Sequence, residues 1–137
     1  MNMQYAKADT ARRLFAFFFD ALLAYFFSFL PFIGGIIGFL YMLLRDGITD
    51  NGSLGKKLFG LKVVMCGGGR ITYQESIRRN IIFAIPIIIT IIPFVGQIIG
   101  LIVAIVIYAI ELLTAVNSTT GQRYGDQWAD TMVVDKP

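Results

Sequence analysis

The sequence has no histidine and one cysteine, Cys66, among its 137 residues. Without histidine it lacks the commonest transition-metal ligand and the usual base of nucleophilic triads. A single cysteine forms no internal disulfide. Charged residues are also scarce, at 15% of the chain. These absences argue against a metal centre and a hydrolytic triad, so we expect no cofactor and no enzymatic activity.

Apolar residues make up 56% of the chain, which is more than a soluble domain of this size carries. The excess lies in two long apolar blocks. In residues 14–44 the one ionised side chain is Asp20, and in residues 80–113 it is Glu111. No charged leader with a cleavage site precedes the first block. We therefore expect a single-domain integral membrane protein that retains this block.

Each block contains a Pro-Gly bend, PFIGGIIG at 31–38 and PFVGQIIG at 93–100. Proline removes a helix donor and glycine supplies the freedom for a reversal. Each block is also too long for one upright span of roughly 20 residues. We predict an all-α membrane fold of two Pro/Gly-bent helical hairpins, with helices near 12–30, 32–44, 78–92 and 94–113. The second and third helices reach only about 20 Å, so full crossing and re-entrant hairpins both stay open.

The charge pattern predicts the orientation of these hairpins. All twelve basic residues fall on one side if each block enters and returns, in agreement with the positive-inside rule. We therefore expect a multi-pass protein with both termini and the middle loop in the cytoplasm. The basic middle loop suits anionic lipid headgroups better than nucleic acid. Its glycines at 67–69 lack the neighbours of a phosphate loop.

The similarity between the blocks extends into the segments that follow them. NGSLGKKLFGLKVV at 51–64 and GQRYGDQWADTMVV at 121–134 both end in a valine pair, and an arginine pair precedes each block. We predict a weak parallel internal repeat with halves at about 12–65 and 78–135, which implies a pseudo-twofold axis along the membrane normal. Lys56 and Asp126 occupy aligned positions, either as an ion pair or as solvated surface charges.

Short cytoplasmic elements complete the predicted fold. Residues 61–65 are β-like, the glycines form a turn, and residues 71–73 are expected to return as a second strand. Thr72 and Glu75 form a capping-box pattern that starts the third helix, and Pro86 predicts a kink within it. The GxxxG spacings in the two bends indicate close packing inside each hairpin or a dimer face.

Asp20, inside AFFFDALLAYFF, is the strongest candidate for a functional residue. A carboxylate at the centre of a span costs roughly 2.5 to 3.5 kcal/mol, so a partner has to compensate it. Arg13 lies two helical turns earlier on the same face, and we expect water, a neighbouring helix, Arg78 or Arg79 to complete the pairing. The pair either fixes helix packing or leaves a carboxylate that binds protons or cations. Glu111 is expected to be a snorkelling or paired carboxylate.

Taken together, these residues resemble the RDD family of prokaryotic membrane proteins, named for one arginine and two aspartates. The resemblance implies that these are Arg13, Asp20 and Asp126, the last in GDQWADTMVV. Gln127 and Asp130 depart from the pattern, since a basic residue and a glycine are common there. The resemblance implies an integral protein of the prokaryotic inner membrane for which transport is suspected.

Two functional hypotheses follow. The first is a small secondary transporter that exchanges protons for a cation, with Asp20 as the coupling carboxylate and Arg13 tuning its pKa. Four short helices do not enclose a pathway alone, so this hypothesis requires a homo-oligomer or a membrane partner. The second is a non-catalytic scaffold or accessory subunit in which the charged residues specify the fold.

Overall fold

The structure is a computed structural model that describes residues 6–27 and 29–136. These residues are mostly helical. The elements in chain order are α1 (Thr10–Phe27), α2 (Gly34–Ile48), α3 (Leu54–Leu58), β1 (Leu61–Met65), α4 (Tyr73–Asn80), a 3₁₀ turn (Ile81–Phe83), α5 (Ala84–Ile89), α6 (Val95–Asn117), α7 (Tyr124–Trp128) and β2 (Thr131–Asp135). The sequence analysis does not predict α3 and α7, which are little more than one turn long.

The chain reverses at both Pro-Gly bends, but the glycines do not make the reversals. The residues with a left-handed backbone are Phe32 and Phe94, with φ of 66° and 61°. Gly34 begins α2, and Gly96 lies in α6. The expectation that these glycines supply the freedom for the turn is therefore wrong. A phenylalanine directly after each proline takes the strained conformation instead.

The glycines let neighbouring helices approach closely. A Cβ added at Gly38 in α2 would lie 2.6 Å from the backbone oxygen of Ala24 in α1. A Cβ added at Gly100 in α6 would lie 2.9 Å from the oxygen of Pro86 in α5. The GxxxG spacing is thus used for packing between α1 and α2 and between α5 and α6.

The third predicted helix is broken. The structure has α4, the 3₁₀ turn and the short α5 in place of one helix over 78–92. Proline lacks a backbone N–H, and its ring clashes with the carbonyl four residues earlier, which for Pro86 is that of Ile82 in the 3₁₀ turn. The expected kink is therefore a change of helix type.

One antiparallel sheet joins the middle of the chain to its C-terminal part. Strand β1 pairs with β2, with Val63 opposite Val133. The expected second strand at 71–73 is wrong, because Ile71 packs into the core and Thr72 caps α4. The capping box is confirmed: the Thr72 backbone N–H donates to Glu75 Oε2 at 2.7 Å.

The larger of two buried apolar clusters lies between the sheet and α1. It consists of Ala8, Ala16, Leu61, Val63, Ile71 and Val133, and the smaller cluster consists of Val64, Met132 and Val134. Most large apolar side chains of α1, α5 and α6 are exposed; Phe18 is 61% exposed and Ile102 is 56% exposed. Within the described part of the chain, one helix, α6, is long and apolar enough to cross a membrane. Such an extensive apolar surface is suited to contact with lipid or with another protein.

Candidate functional site

Asp20 lies in α1 and is fully buried. Its Oδ1 accepts hydrogen bonds from the Tyr41 hydroxyl and the Gly55 N–H, both at 2.8 Å. Its Oδ2 accepts from the Ser53 hydroxyl and from Arg45 Nη1, the latter at 3.3 Å. Four donors therefore surround this carboxylate. Its cationic partner is Arg45 of the neighbouring helix α2, so the expectation of a neighbouring helix is confirmed, whereas the expected partnership with Arg13, Arg78 or Arg79 is wrong.

The segment GSLGKK at 52–57 brings two of these donors, Ser53 and Gly55, to α1. Ser53 is the N-cap of α3, where its hydroxyl accepts from the Lys56 N–H at 3.1 Å and donates to Asp20. A Cβ at Gly55 would overlap the Ala16 oxygen and lie 2.9 Å from Asp20 Oδ1. Glycine is required at this position because the backbones of α1 and α3 are in contact.

The guanidinium of Arg45 also reaches α4. Its Nη2 donates to Asn80 Oδ1 at 3.3 Å, and Asn80 Nδ2 donates to Asp46 Oδ2 at 3.1 Å. Asn80 therefore connects the partner of Asp20 to a second buried carboxylate. Asp46 forms ion pairs with Lys56 and with Arg79, in which Arg79 Nε lies 3.5 Å from Asp46 Oδ2.

Burial lowers the pKa of Lys56 from 10.5 to about 7. The attraction of Asp46 opposes this shift, and the nearby charges of Arg45 and Arg79 add to it. The ammonium is thus held at a site where losing its proton near neutral pH is favourable. Lys56 does not pair with Asp126, as one interpretation of the repeat suggested.

A second group of buried ion pairs surrounds Asp126. It is fully buried in α7, and its carboxylate pairs with Arg13 at 3.0 Å, Arg79 at 2.8 Å and Arg123 at 3.3 Å. Burial alone raises the pKa of this carboxyl, but the three guanidiniums outweigh that effect and lower it well below its usual range. Asp126 is therefore ionised, and it holds α7 against α1 and α4 through Arg13 and Arg79. Arg13 pairs with this second aspartate of the motif.

Glu111 in α6 is buried, with its Oε2 3.7 Å from Arg123 Nε. Neither of its carboxylate oxygens makes a hydrogen bond of good geometry to a described residue, although the backbone N–H of Gly125 lies near them. Arg78, by contrast, is exposed and lies outside this group. We call the connected charges the ion-pair cluster, which consists of Arg13, Asp20, Arg45, Asp46, Lys56, Arg79, Glu111, Arg123 and Asp126.

A cavity of about 60 Å³ lies inside the ion-pair cluster. All five of its bases line this cavity, and its acids contribute only Glu111. Three ring side chains of Phe17, Phe83 and Tyr108 also line it; the centroids of Phe17 and Tyr108 are 4.6 Å apart, and those of Phe83 and Tyr108 are 5.5 Å apart. We call these three rings the aromatic layer.

The aromatic layer separates the cavity from a larger apolar groove of about 500 Å³. The groove is lined by Phe17 and Met42 on one side and by Pro86, Gly100 and Leu101 on the other. Arginines pack on the layer from the cavity side, with Arg45 over Phe17 at 5.0 Å and Arg123 over Phe83 at 5.4 Å. Charged and apolar spaces thus meet across one layer of rings.

Sequence reasoning missed Arg45, Asp46 and Arg123, and it considered Lys56 only as a partner of Asp126. For two of the missed residues the signal is position, because Arg45 and Asp46 directly follow the first apolar block. No group of three His, Cys, Asp or Glu side chains within residues 6–27 and 29–136 is arranged to hold a metal ion.

No curated protein and no solved structure matches this chain. A family model described as the RDD family matches residues 30–130, a span that includes Asp126 and follows Arg13 and Asp20. Since this match covers more than half of the sequence, the resemblance noted from the motifs is confirmed. The chain belongs to the RDD family, a family of membrane proteins.

Proposed function

We propose that the protein is a small secondary transporter, without enzymatic activity, in which the ion-pair cluster couples proton movement to that of a second ion. The observation that carries this proposal is the arrangement of a charged cavity, an aromatic layer and an apolar groove in sequence. In a gated pathway the cavity would be the ion-binding site, the aromatic layer would be the gate, and the groove would lead away from it.

The cost of the ion-pair cluster supports a functional role. None of its nine side chains is more than 13% exposed. The attraction within a buried ion pair often does not offset the free-energy cost of desolvating its charges, and apolar replacements are often neutral or stabilising. Two members, Asp20 and Glu111, lie within the apolar blocks, and ionisable side chains in membrane segments are rare and mark ion pathways or proton relays. Packing alone gives little reason to bury nine such groups.

Glu111 is the best candidate for the proton-carrying group. Its carboxylate is held less firmly than those of the aspartates, with its nearest ion-pair partner Arg123 at 3.7 Å, and it borders the cavity. Asp20 is a poorer candidate than the sequence suggests, because four donors already occupy its two carboxylate oxygens and it does not line the cavity. Five bases around the cavity also repel a cation, so proton exchange for a cation would need a cation site elsewhere.

The proposed arrangement in the membrane is multi-pass, with two hairpins and both termini in the cytoplasm. The exposed apolar surfaces of α1, α5 and α6 would face lipid, and the basic middle loop would contact anionic headgroups. The pairing of Val63 with Val133, and the close packing of Gly55 on α1 and of Gly125 on α4, support two like halves.

A second copy or another membrane protein would complete the pathway. The apolar groove opens between the two helical pairs, where a single chain leaves it uncovered. We therefore propose a homo-oligomer or a complex with a membrane partner. A pathway bounded by protein would require this cover because polar solutes do not cross exposed hydrocarbon.

The test is proton flux into proteoliposomes that contain a pH-sensitive dye, under imposed Na⁺, K⁺ or Cl⁻ gradients. We expect flux from the wild-type protein. Tyr108→Ala should open the aromatic layer and raise the uncoupled proton leak, whereas Tyr108→Phe keeps the ring and is the matched control. Equal leak from both variants would contradict the assignment of the aromatic layer as the gate.

The alternative is a scaffold or accessory subunit, and the saturated carboxylate of Asp20 favours it. In that case the ion-pair cluster specifies the packing of α1, α2, α4 and α7. Wild-type protein that is folded in liposomes but moves no ion under any of the three gradients would support this second function.

A further inference from the structure

The ion-pair cluster contains five bases but only four acids. The three aspartates are each held by at least one of these bases, and Glu111 contacts Arg123 at 3.7 Å. An excess positive charge in a buried site is costly unless something compensates it. The imbalance lies around the cavity, since all five bases line it.

Some of the guanidinium nitrogens have no hydrogen-bond partner in the part of the chain that the structure describes. Arg79 is fully buried, and its Nη1 makes no hydrogen bond to a described residue; the same is true of Arg45 Nε. Both side chains line the cavity. Arginine N–H groups are strong donors and bind anions well, since charge-assisted hydrogen bonds are roughly twice as strong as neutral ones.

We propose that the cavity binds one small inorganic anion, a halide or a compact oxyanion, between Arg45 and Arg79. The anion would neutralise the excess charge and accept from the free guanidinium nitrogens. Cation binding is disfavoured by the five bases. This proposal does not depend on the proposed transport. Anion binding is measured at equilibrium, without an ion gradient, so each of the two proposals can fail separately.

The size of the cavity limits the ligand. One water molecule needs roughly 10–15 Å³ of such space, so about 60 Å³ holds a small anion with a few waters and excludes a large organic anion such as gluconate. Phe17, Phe83 and Tyr108 close the side toward the apolar groove. Chloride and gluconate salts therefore form a matched pair of probes.

Two neighbouring groups should modulate the affinity. Glu111 borders the same cavity and repels an anion while it is ionised. Lys56 attracts the anion while it is protonated, and it is faced by Asp46 and Arg45 of α2, Arg79 of α4 and Asp20 of α1. Because the pKa of Lys56 is lowered to about 7, the affinity should fall as the pH rises through that value.

The experiment measures the melting temperature of the purified full-length protein in detergent as sodium chloride replaces sodium gluconate at constant ionic strength. Titration calorimetry with chloride and with sulfate gives the stoichiometry. A ligand that binds only the folded state raises the melting temperature as its concentration passes its Kd. We expect saturable stabilisation by chloride or sulfate, with one anion bound per chain.

Three variants make the test specific. Ala115→Val fills part of the cavity while keeping every charge, and it should abolish the anion effect. Glu111→Gln removes the competing carboxylate and should tighten binding by at least about tenfold. Arg70→Gln changes an exposed arginine and is the control.

Identical melting curves in chloride, sulfate and gluconate would overturn the proposal and mean that the cavity holds only water. An equal anion effect in wild type and Ala115→Val would also overturn it, because the anion would then bind at the surface. If Ala115→Val does not fold, unchanged affinity in Glu111→Gln provides the contradicting result.

Discussion

Replacing Asp20 by asparagine tests the buried ion pair at the centre of the fold. In the wild type Oδ1 accepts from Tyr41 and Gly55, and Oδ2 accepts from Ser53 and Arg45. An asparagine turns one of these acceptors into a donor. The hydroxyl groups can rotate and accept, whereas the Gly55 N–H and the Arg45 guanidinium cannot. Each of the two amide orientations therefore leaves one buried donor opposed.

The magnitude follows from the loss of the counter-charge. Arg45 is 1% exposed and would remain buried without its carboxylate. Breaking a buried ion pair by removing one partner costs about 3–5 kcal/mol. The matched control is Asp50→Asn, because Asp50 pairs with Arg70 at an exposed position where such pairs contribute about 0–1 kcal/mol.

The assay is reversible unfolding in detergent, followed by circular dichroism. Asp20→Asn should lose about 3–5 kcal/mol, and adding Arg45→Met should recover part of the loss because the unpaired charge is then gone. The reasoning fails if Asp20→Asn stays within about 1 kcal/mol of the wild type, or if the double variant is less stable than the single one.

Three further predictions address packing, titration and orientation. Gly55→Ala should strongly destabilise the fold because its Cβ would overlap the Ala16 oxygen. The control is Gly35→Ala, whose Cβ meets no atom within 4 Å and should be tolerated. Thermal unfolding compares the two variants, and equal melting temperatures would contradict the close contact at Gly55. The free energy of unfolding should rise between about pH 7 and 10.5, since the unfolded chain holds the Lys56 proton that the folded chain releases, and Lys56→Met should remove this rise. Cys66 is exposed in the turn after β1, so an impermeant maleimide should label it in inverted vesicles but not in intact cells; labelling in intact cells would contradict a cytoplasmic middle loop.

The sequence predicts the fold where the signals are local. The Pro-Gly bends mark the reversals, the pattern of Thr72 and Glu75 marks the start of α4, and β1 follows from its apolar residues. The pairing of Val63 with Val133 is not local, and the two valine pairs indicate a repeat without indicating that they face each other. Which residue of the bend takes the left-handed conformation, a glycine or Phe32, is also set by how tightly the helices pack.

The site likewise has features that local sequence predicts and features that depend on contacts between distant segments. The apolar surroundings of Asp20 indicate that a partner is needed, and helix geometry makes Arg13 the nearest candidate. The actual partner, Arg45, lies on the next helix, and the choice depends on how α2 and α4 pack around Asn80. Gly55 likewise looks like a turn residue until α3 is seen against α1. Such contacts between distant segments are set by packing and leave no periodic pattern in the sequence.

The most direct test of the coupling role of the ion-pair cluster compares proton flux by wild type, Glu111→Gln and Asp50→Asn in proteoliposomes. Glutamine keeps the size of Glu111 but carries no titratable proton, and Asp50→Asn removes a carboxylate outside the cluster. The account predicts that flux is lost in folded Glu111→Gln and retained in Asp50→Asn. Wild-type flux that persists unchanged in Glu111→Gln would contradict it.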